Sequence, residues 1–425
     1  MTGPLRISKQ AARRFVLGKQ GLWPGRRFTG KPGTRDAVLA CEHLQLDPLV
    51  IVARSHDLML HARVADYRPE YFHELAYDDR LFFDWGGWLA VRSMKELPNW
   101  RVLMRRDRES RRIRAIAEEH GPAVDEMRRA LHERATVSGR DFAAAERRAV
   151  DSYRGSKDSS LALYYLWRTG EAMTDHRDGF ERVYARTELI APPHLVAEAS
   201  EVDADRFMTR KAVAFAGIGR PGPLSGVLSR KVTRAEEHAL VRELVEAGVL
   251  TDVEVADAGA GADADGARPN GHQFVLTEDR DALDDVASGR APSAWAPLDT
   301  TTEDEVVLLS PLDPVSARGR AKALFDVDYV WEIYKRPADV VFGRFTMPIL
   351  WGDRIVGRID LKHSRPTRTL VINGLWFETK SDAREPQLRD ALRLGLRRTL
   401  ALLQAERVDA AAVTDAKLRR HLAAS

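Results

Sequence analysis

Gln45 and Asp47 are the residues of this chain best suited to chemistry, separated by Leu46 and followed by Pro48. In an extended segment, residues i and i+2 project to the same face. The amide and the carboxylate would then stand side by side, with Leu46 turned inward and Pro48 stiffening the exit. An ionised carboxylate can take a proton from a water that a neighbouring amide orients, and it can stabilise a cationic centre. On spacing alone a plainer reading is favoured, a turn at Asp47-Pro48 beside a surface glutamine. His43, His56, His61 and His73 are close in sequence. Their spacing fits no zinc motif such as H-E-x-x-H, so no metal or other cofactor is expected. His43, two residues ahead of Gln45, is a further candidate for lining the same pocket.

The elements that must position this pair belong to a long chain. At 425 residues it exceeds one hydrophobic core, so several modules are expected. Its apolar fraction of 44% is that of a globular protein. The net charge is only +3 but is unevenly spread. Residues 1–40 carry Arg6, Lys9, Arg13, Arg14, Lys19, Arg26, Arg27, Lys31 and Arg35 against the single acid Asp36. Such a segment suits a polyanion, and equally a solvated basic arm. Arg13, Arg14, Arg26 and Arg27 are therefore candidates for contacting a nucleic-acid backbone. Cys41 is the only cysteine, which excludes an internal disulfide framework and points to a reducing cytoplasm. The first residues lack the apolar stretch of a signal peptide, and no run of about 18 apolar residues is present to span a membrane.

Along the chain, helix and ribbon patterns recur. Ser8 caps a helix over "KQAARRFVLGKQGL", Thr34 is expected to cap "RDAVLACEHL", and "LVIVARSHDLMLHARV" reads as a further helix from its apolar spacing. "SSLALYYLWRTGEAM" ends at Gly170 and leads through "DHRDG" into the strand "GFERVYARTELI". "DADRFMTRKAVAFAGIG" and "TRAEEHALVRELVEAGVL" precede a hairpin whose tip, 256–271, is rich in Gly, Ala and Asp. From 305 onward, "WGD" and "HSRPT" separate three strands, and 381–406 reads as a closing amphipathic helix. The resulting division is 1–100, 101–150 (a connecting helical segment), 151–200, 201–304 and 305–425. Arg358, Asp360 and Lys362 alternate on one strand face, with His363 and Arg365 in the turn that follows. Arg358, Lys362 and Arg365 are candidate phosphate partners, with Asp360 expected to pair with a neighbouring arginine. Trp85, Trp88 and Trp376 are candidates for stacking on a base, although large aromatics more often fill cores.

Several blocks, taken together, resemble the crosslink-repair DNA glycosylase family, the YcaQ/AlkZ-like winged-helix proteins. They are "LQLDPLVIVARSHDLMLHARVADY" (44–67), "GFERVYARTELIAPP" (179–193), "LLSPLDPVSARGRAKALFDVDYVWEIY" (308–334), "GRFTMPILWGDRIVGRIDLKHSR" (343–365) and "GLWFE" (374–378). The chain departs from the family at Gly87 and Trp88, where a His-Glu pair is expected, and at "SKDSSLALYY", where a Trp-rich opening is expected.

The resemblance implies an α+β fold of tandem winged-helix (helix-turn-helix) units with a C-terminal small antiparallel β-barrel. It further implies a bacterial, cytoplasmic, monomeric enzyme acting on double-stranded DNA. That enzyme would hydrolyse the N-glycosidic bond of alkylated purines, some interstrand crosslinks included. Gln45 and Asp47 then become the catalytic pair. Arg54, on the helix just after them, becomes a phosphate contact, and the loop with His363 and Arg365 lies near the lesion. The alternatives are a winged-helix regulator without catalysis and a factor that sequesters damaged DNA.

Overall fold

The computed structural model describes residues 4–86, 89–142, 158–256 and 272–424. Two compact units are formed, each from separated stretches of chain.

The first unit comprises Met1–Phe72, Val213–Arg220 and Val245–Ser425. Its Lys9–Lys19 helix starts as the sequence predicts: the Ala11 N–H donates to Ser8 Oγ at 3.1 Å. Ala11, Ala12, Phe15 and Val16 make its buried stripe. The next helix runs Gly30–Cys41 and begins earlier than expected. Thr34 is inside it, donating to Gly30 O at 2.9 Å, and so is not the cap. Asp66 caps instead, 36 residues away, accepting from the Gly30 N–H at 2.6 Å and Thr29 Oγ1 at 3.0 Å.

Two sheets complete this unit. Leu5–Ile7 pairs parallel with Leu250–Val255, which pairs antiparallel with His272–Leu276. The expected hairpin is thus present, while its tip from 257 to 271 lies outside the described residues. The second sheet is an open half-barrel of five strands in the order Val307–Leu308, Thr346–Trp351, Arg354–Ser364, Thr369–Phe377 and Arg407–Asp409. Four run antiparallel. The fifth lies parallel to Thr369–Phe377, because the Pro386–Leu403 helix carries the chain back across the sheet before it. The small C-terminal antiparallel sheet expected is thus present as a half-barrel, with one parallel edge strand added and the helix covering it. Leu388, Leu392, Leu396 and Leu400 of that helix enter one core with Met347, Ile349, Val356, Ile359 and Leu361. Gly395 lets the helix approach: a Cβ there would be 2.6 Å from Val306 O.

The second unit comprises His73–Ala212 and Pro221–Leu244. Helices Leu97–Arg108, Arg111–Glu119, Gly121–Glu133 and Asp158–Arg168 pack with a three-stranded antiparallel sheet. Its order is Val137–Ser138, Glu181–Arg186, Ala172–Asp178. Gly179, at φ 65°, turns the hairpin, and Gly170, at φ 74°, follows the Asp158–Arg168 helix as expected. Trp85, Trp100 and Trp167 are core residues here. Trp85 Nε1 donates to Arg168 O at 3.1 Å, so its ring is not a stacking platform. Trp88 and the departure at Gly87 lie outside the described residues.

Candidate active site

Leu44–Gln45 is a two-residue strand, and the chain from 46 to 54 is irregular. The expected helix over 49–64 is shorter, Ser55–His61. The apolar spacing that predicts the longer helix comes from inward-facing loop residues: Val52 is fully buried and joins Leu58 in the half-barrel core. Leu46 is turned inward, with 2% of its surface exposed. Gln45 is half-buried, and Asp47 keeps 8% of its surface.

Asp47 Oδ1 accepts the Leu49 N–H at 2.9 Å, a turn across Pro48. The turn reading of Asp47-Pro48 is thus realised, by one oxygen only. Among the described residues no hydrogen bond reaches Oδ2 and no cation pairs with the carboxylate. Burial raises the Asp47 pKa, with the Leu49 N–H working in the opposite direction. A carboxylate without an ion pair and partly withdrawn from water is a stronger base than an exposed one.

The "LSPLDP" block holds this segment at both ends. Ser310 Oγ meets Ser55 Oγ at 2.5 Å, at the first residue of the Ser55–His61 helix. Just past that helix, Arg63 Nη1 and Nη2 donate to Asp313 Oδ2 and Oδ1 at 2.8 and 2.9 Å. Both side chains of the pair are fully buried. Burial works against the Arg63 charge, and Asp313 outweighs it, so the Arg63 pKa is raised. Five residues beyond Asp313, Arg318 Nη2 donates to Gln45 Oε1. None of these links has a local sequence signal, since the partners stand 250 or more positions apart.

A further link ties the segment to the half-barrel. The His363 N–H donates to Ile51 O at 3.0 Å. Asp47's loop is thereby joined to the end of the Arg354–Ser364 strand, where Lys362 and Arg365 are exposed and His363 is half-buried. Burial and then Arg365 lower the His363 pKa. Lys362 and Arg365 have no side-chain ion pair among the described residues.

Arg358 lies differently from its strand neighbour Lys362. Only 7% exposed, it donates to Glu378 at 2.6 and 3.1 Å and stacks 4.3 Å from the Phe342 ring centroid. It is not presented to a phosphate. Among the described residues Asp360 pairs with no arginine; it accepts from the Phe345 N–H at 3.2 Å and Asn373 Nδ2 at 3.3 Å. Trp376 is half-buried, its ring 5.5 Å from that of Phe342.

Much of the basic N-terminal segment is engaged by ion pairs of the fold. Arg6, Lys9, Arg14, Lys19 and Arg26 pair with Glu254, Asp326, Asp353, Asp279 and Glu305, and Arg35 with its neighbour Asp36. Arg26, 4% exposed, has its pKa lowered to about 10 by burial, with Glu305 opposing. Arg27 donates to Gly18 O at 2.5 Å and Lys19 O at 3.2 Å, satisfying the end of the first helix. Arg26 is therefore a structural cation, a correction to its reading as a backbone contact, while Arg14 and Arg27 are half-buried and engaged by Asp353 and by the end of the first helix. Arg13 is half-buried, and Arg54 occupies the N-cap position of the Ser55–His61 helix.

The histidines serve packing. His43 is buried with its ring 5.3 Å from Phe215, and His56 lies 5.3 Å from Phe72. Burial, then Arg26 and Arg398, lower the His61 pKa well below its usual value. His73 is exposed, 5.1 Å from the Tyr77 ring. Among the described residues no group of three or more His, Cys, Asp or Glu is arranged to hold a metal, and no helix is long and apolar enough to cross a membrane.

Two comparisons bear on this arrangement. Among solved structures, the chain is similar to Streptomyces sahachiroi DNA glycosylase AlkZ, with a TM-score of 0.61 and 16% sequence identity. The match covers 95% of this chain and 99% of that one. At that identity the likeness is one of fold, an α+β arrangement shared end to end. The family model described as DNA glycosylase AlkZ-like matches residues 38–402, which take in Gln45, Asp47, Asp313, Arg318 and the Arg354–Ser364 strand. The chain belongs to the AlkZ-like DNA glycosylase family.

Proposed function

We propose that this protein is a monofunctional DNA glycosylase that hydrolyses the N-glycosidic bond of alkylated purines in duplex DNA, interstrand crosslinks included. An N-alkylated purine carries positive charge and is a good leaving group. As its bond to C1′ breaks, the electron pair departs with the base and the sugar takes on oxocarbenium character. Asp47 stabilises that cation and receives a proton from the attacking water, whose oxygen forms the new bond to C1′. Gln45 orients the water. The observation that carries this reading is Asp47 itself: a partly desolvated carboxylate, one oxygen unengaged among the described residues, on a loop bonded to the strand that bears Lys362 and leads into Arg365.

Lys362, His363 and Arg365 form the DNA-contacting edge in this reading, with Arg54 and Arg13 as further contacts. Helices Arg111–Glu119, Gly121–Glu133 and Asp158–Arg168 with the hairpin Ala172–Asp178 and Glu181–Arg186 support one winged-helix unit in a tandem set. The protein acts as a monomer.

The Leu49 N–H on Asp47 favours a second reading, in which that carboxylate only shapes a turn and the protein binds DNA as a regulator or sequesters damaged DNA. Duplex DNA carrying N7-methylguanine separates the two. Release of the base, with strand cleavage on later alkali treatment, supports the enzyme. Tight binding without base release across several adducts supports the second reading.

A further inference from the structure

We propose that Arg318 is a positioning residue that locks the Gln45 amide so that Gln45 works in the reaction as a hydrogen-bond donor. The inference rests on the glycosylase reading above. A guanidinium offers only donors. The Gln45 atom that meets Arg318 Nη2 is therefore Oε1, because the flipped amide would set N–H against N–H. The carbonyl is occupied. The two Nε2 hydrogens make no hydrogen bond among the described residues, and Gln45 is half-buried two positions from Asp47.

Arg318 rests on a stiff support. The Ser316 and Ala317 N–H groups donate to Asp313 O at 3.1 and 2.9 Å, and the Ala321 N–H donates to Ser316 O at 3.1 Å. Asp313 is itself fixed to Arg63. Arg318 at φ 54° and Gly319 at φ 83° are two successive left-handed residues, a conformation that side chains rarely adopt and that re-aims the chain at the exposed end of the turn. The arginine thereby reaches a strand 273 positions away in sequence. A cation on the carbonyl also polarises the amide and strengthens its N–H donors.

The consequence for the reaction is specific. The water gives a proton to Asp47 and accepts a hydrogen bond from Gln45 Nε2 through one lone pair, which leaves the other aimed at C1′.

The test is single-turnover excision of N7-methylguanine from duplex DNA by Gln45→Glu, Gln45→Ala, Arg318→Ala, Arg318→Lys and Gln45→Ala/Arg318→Ala, with duplex binding and thermal melting of each. Gln45→Glu keeps shape but cannot donate, so it is expected to be as slow as Gln45→Ala. Arg318→Ala is expected to slow excision about tenfold with binding changed less than about twofold, and Arg318→Lys to recover most of the rate. The double variant is expected to be no slower than Gln45→Ala. Wild-type rate in Gln45→Glu, or an equal further loss when Arg318→Ala is added to Gln45→Ala, overturns the proposal. An active Asp47→Asn variant sinks the parent reading. An inactive Asp47→Asn beside fully active Arg318→Ala sinks only this one.

Discussion

Asp313→Asn tests whether the "LSPLDP" block is scaffold rather than chemistry. The exchange keeps the shape of the side chain and a carbonyl for the Val315 N–H, which Asp313 Oδ1 accepts at 3.1 Å. It removes the negative charge facing Arg63, whose side chain is fully buried. Met59 O and Gln20 Oε1 remain as acceptors for Arg63, but both are neutral. Removing one partner of a buried ion pair costs about 3–5 kcal/mol, because the other charge is stranded. At roughly 2–4 °C per kcal/mol for a unit of this size, the transition holding the first unit falls by on the order of 10 °C. Adding Arg63→Met removes the stranded charge, so the double variant melts above Asp313→Asn. Thermal melting of the full chain by circular dichroism reads both. A fall of less than about 2 °C for Asp313→Asn, or a double variant that melts no higher, would refute the reasoning.

Two further outcomes are expected. The base form of Asp47 is its ionised form and its pKa is raised by burial. Excision is therefore lost as pH falls through a value above the ordinary carboxylate value of about 4, although protonation relieves the cost of burying that charge. A pH–rate profile flat down to about pH 4 would contradict this. In a salt titration of duplex binding, Lys362→Ala and Arg365→Ala each reduce the magnitude of the log–log slope by about 1, while Arg14→Ala, whose partner is Asp353, leaves it unchanged. Equal slopes for all three would place the basic groove elsewhere.

Local features of the fold were legible in the sequence and distant partnerships were not. Ser8, Gly170 and the strands between 346 and 377 follow from capping, turn and alternation signals that act within a few residues. Thr34 misled because its helix is capped by Asp66, which no local rule anticipates. The helix expected over 49–64 is cut short because Val52 packs into a core and Ile51 O accepts a hydrogen bond from the Arg354–Ser364 strand. The C-terminal sheet departs from a purely antiparallel one at three residues, Arg407–Asp409, which return parallel after a helix. The basic run over 1–40 is offset in part by the fold, since Glu254, Asp279, Glu305, Asp326 and Asp353 come back to pair with five of its cations. Gln45 and Asp47 stand out in the sequence only through the blocks around them. Arg318 was not, because nothing near it in sequence names Gln45 as its partner.

The most direct test of the account is the single-turnover rate at which Asp47→Asn releases N7-methylguanine from duplex DNA, with binding to the same duplex measured alongside. Loss of a positioned base predicts a fall of about 10²–10⁴-fold with binding retained. Excision within about threefold of the unsubstituted protein would mean that another group activates the water, and that the Asp47 carboxylate does no more than hold its turn.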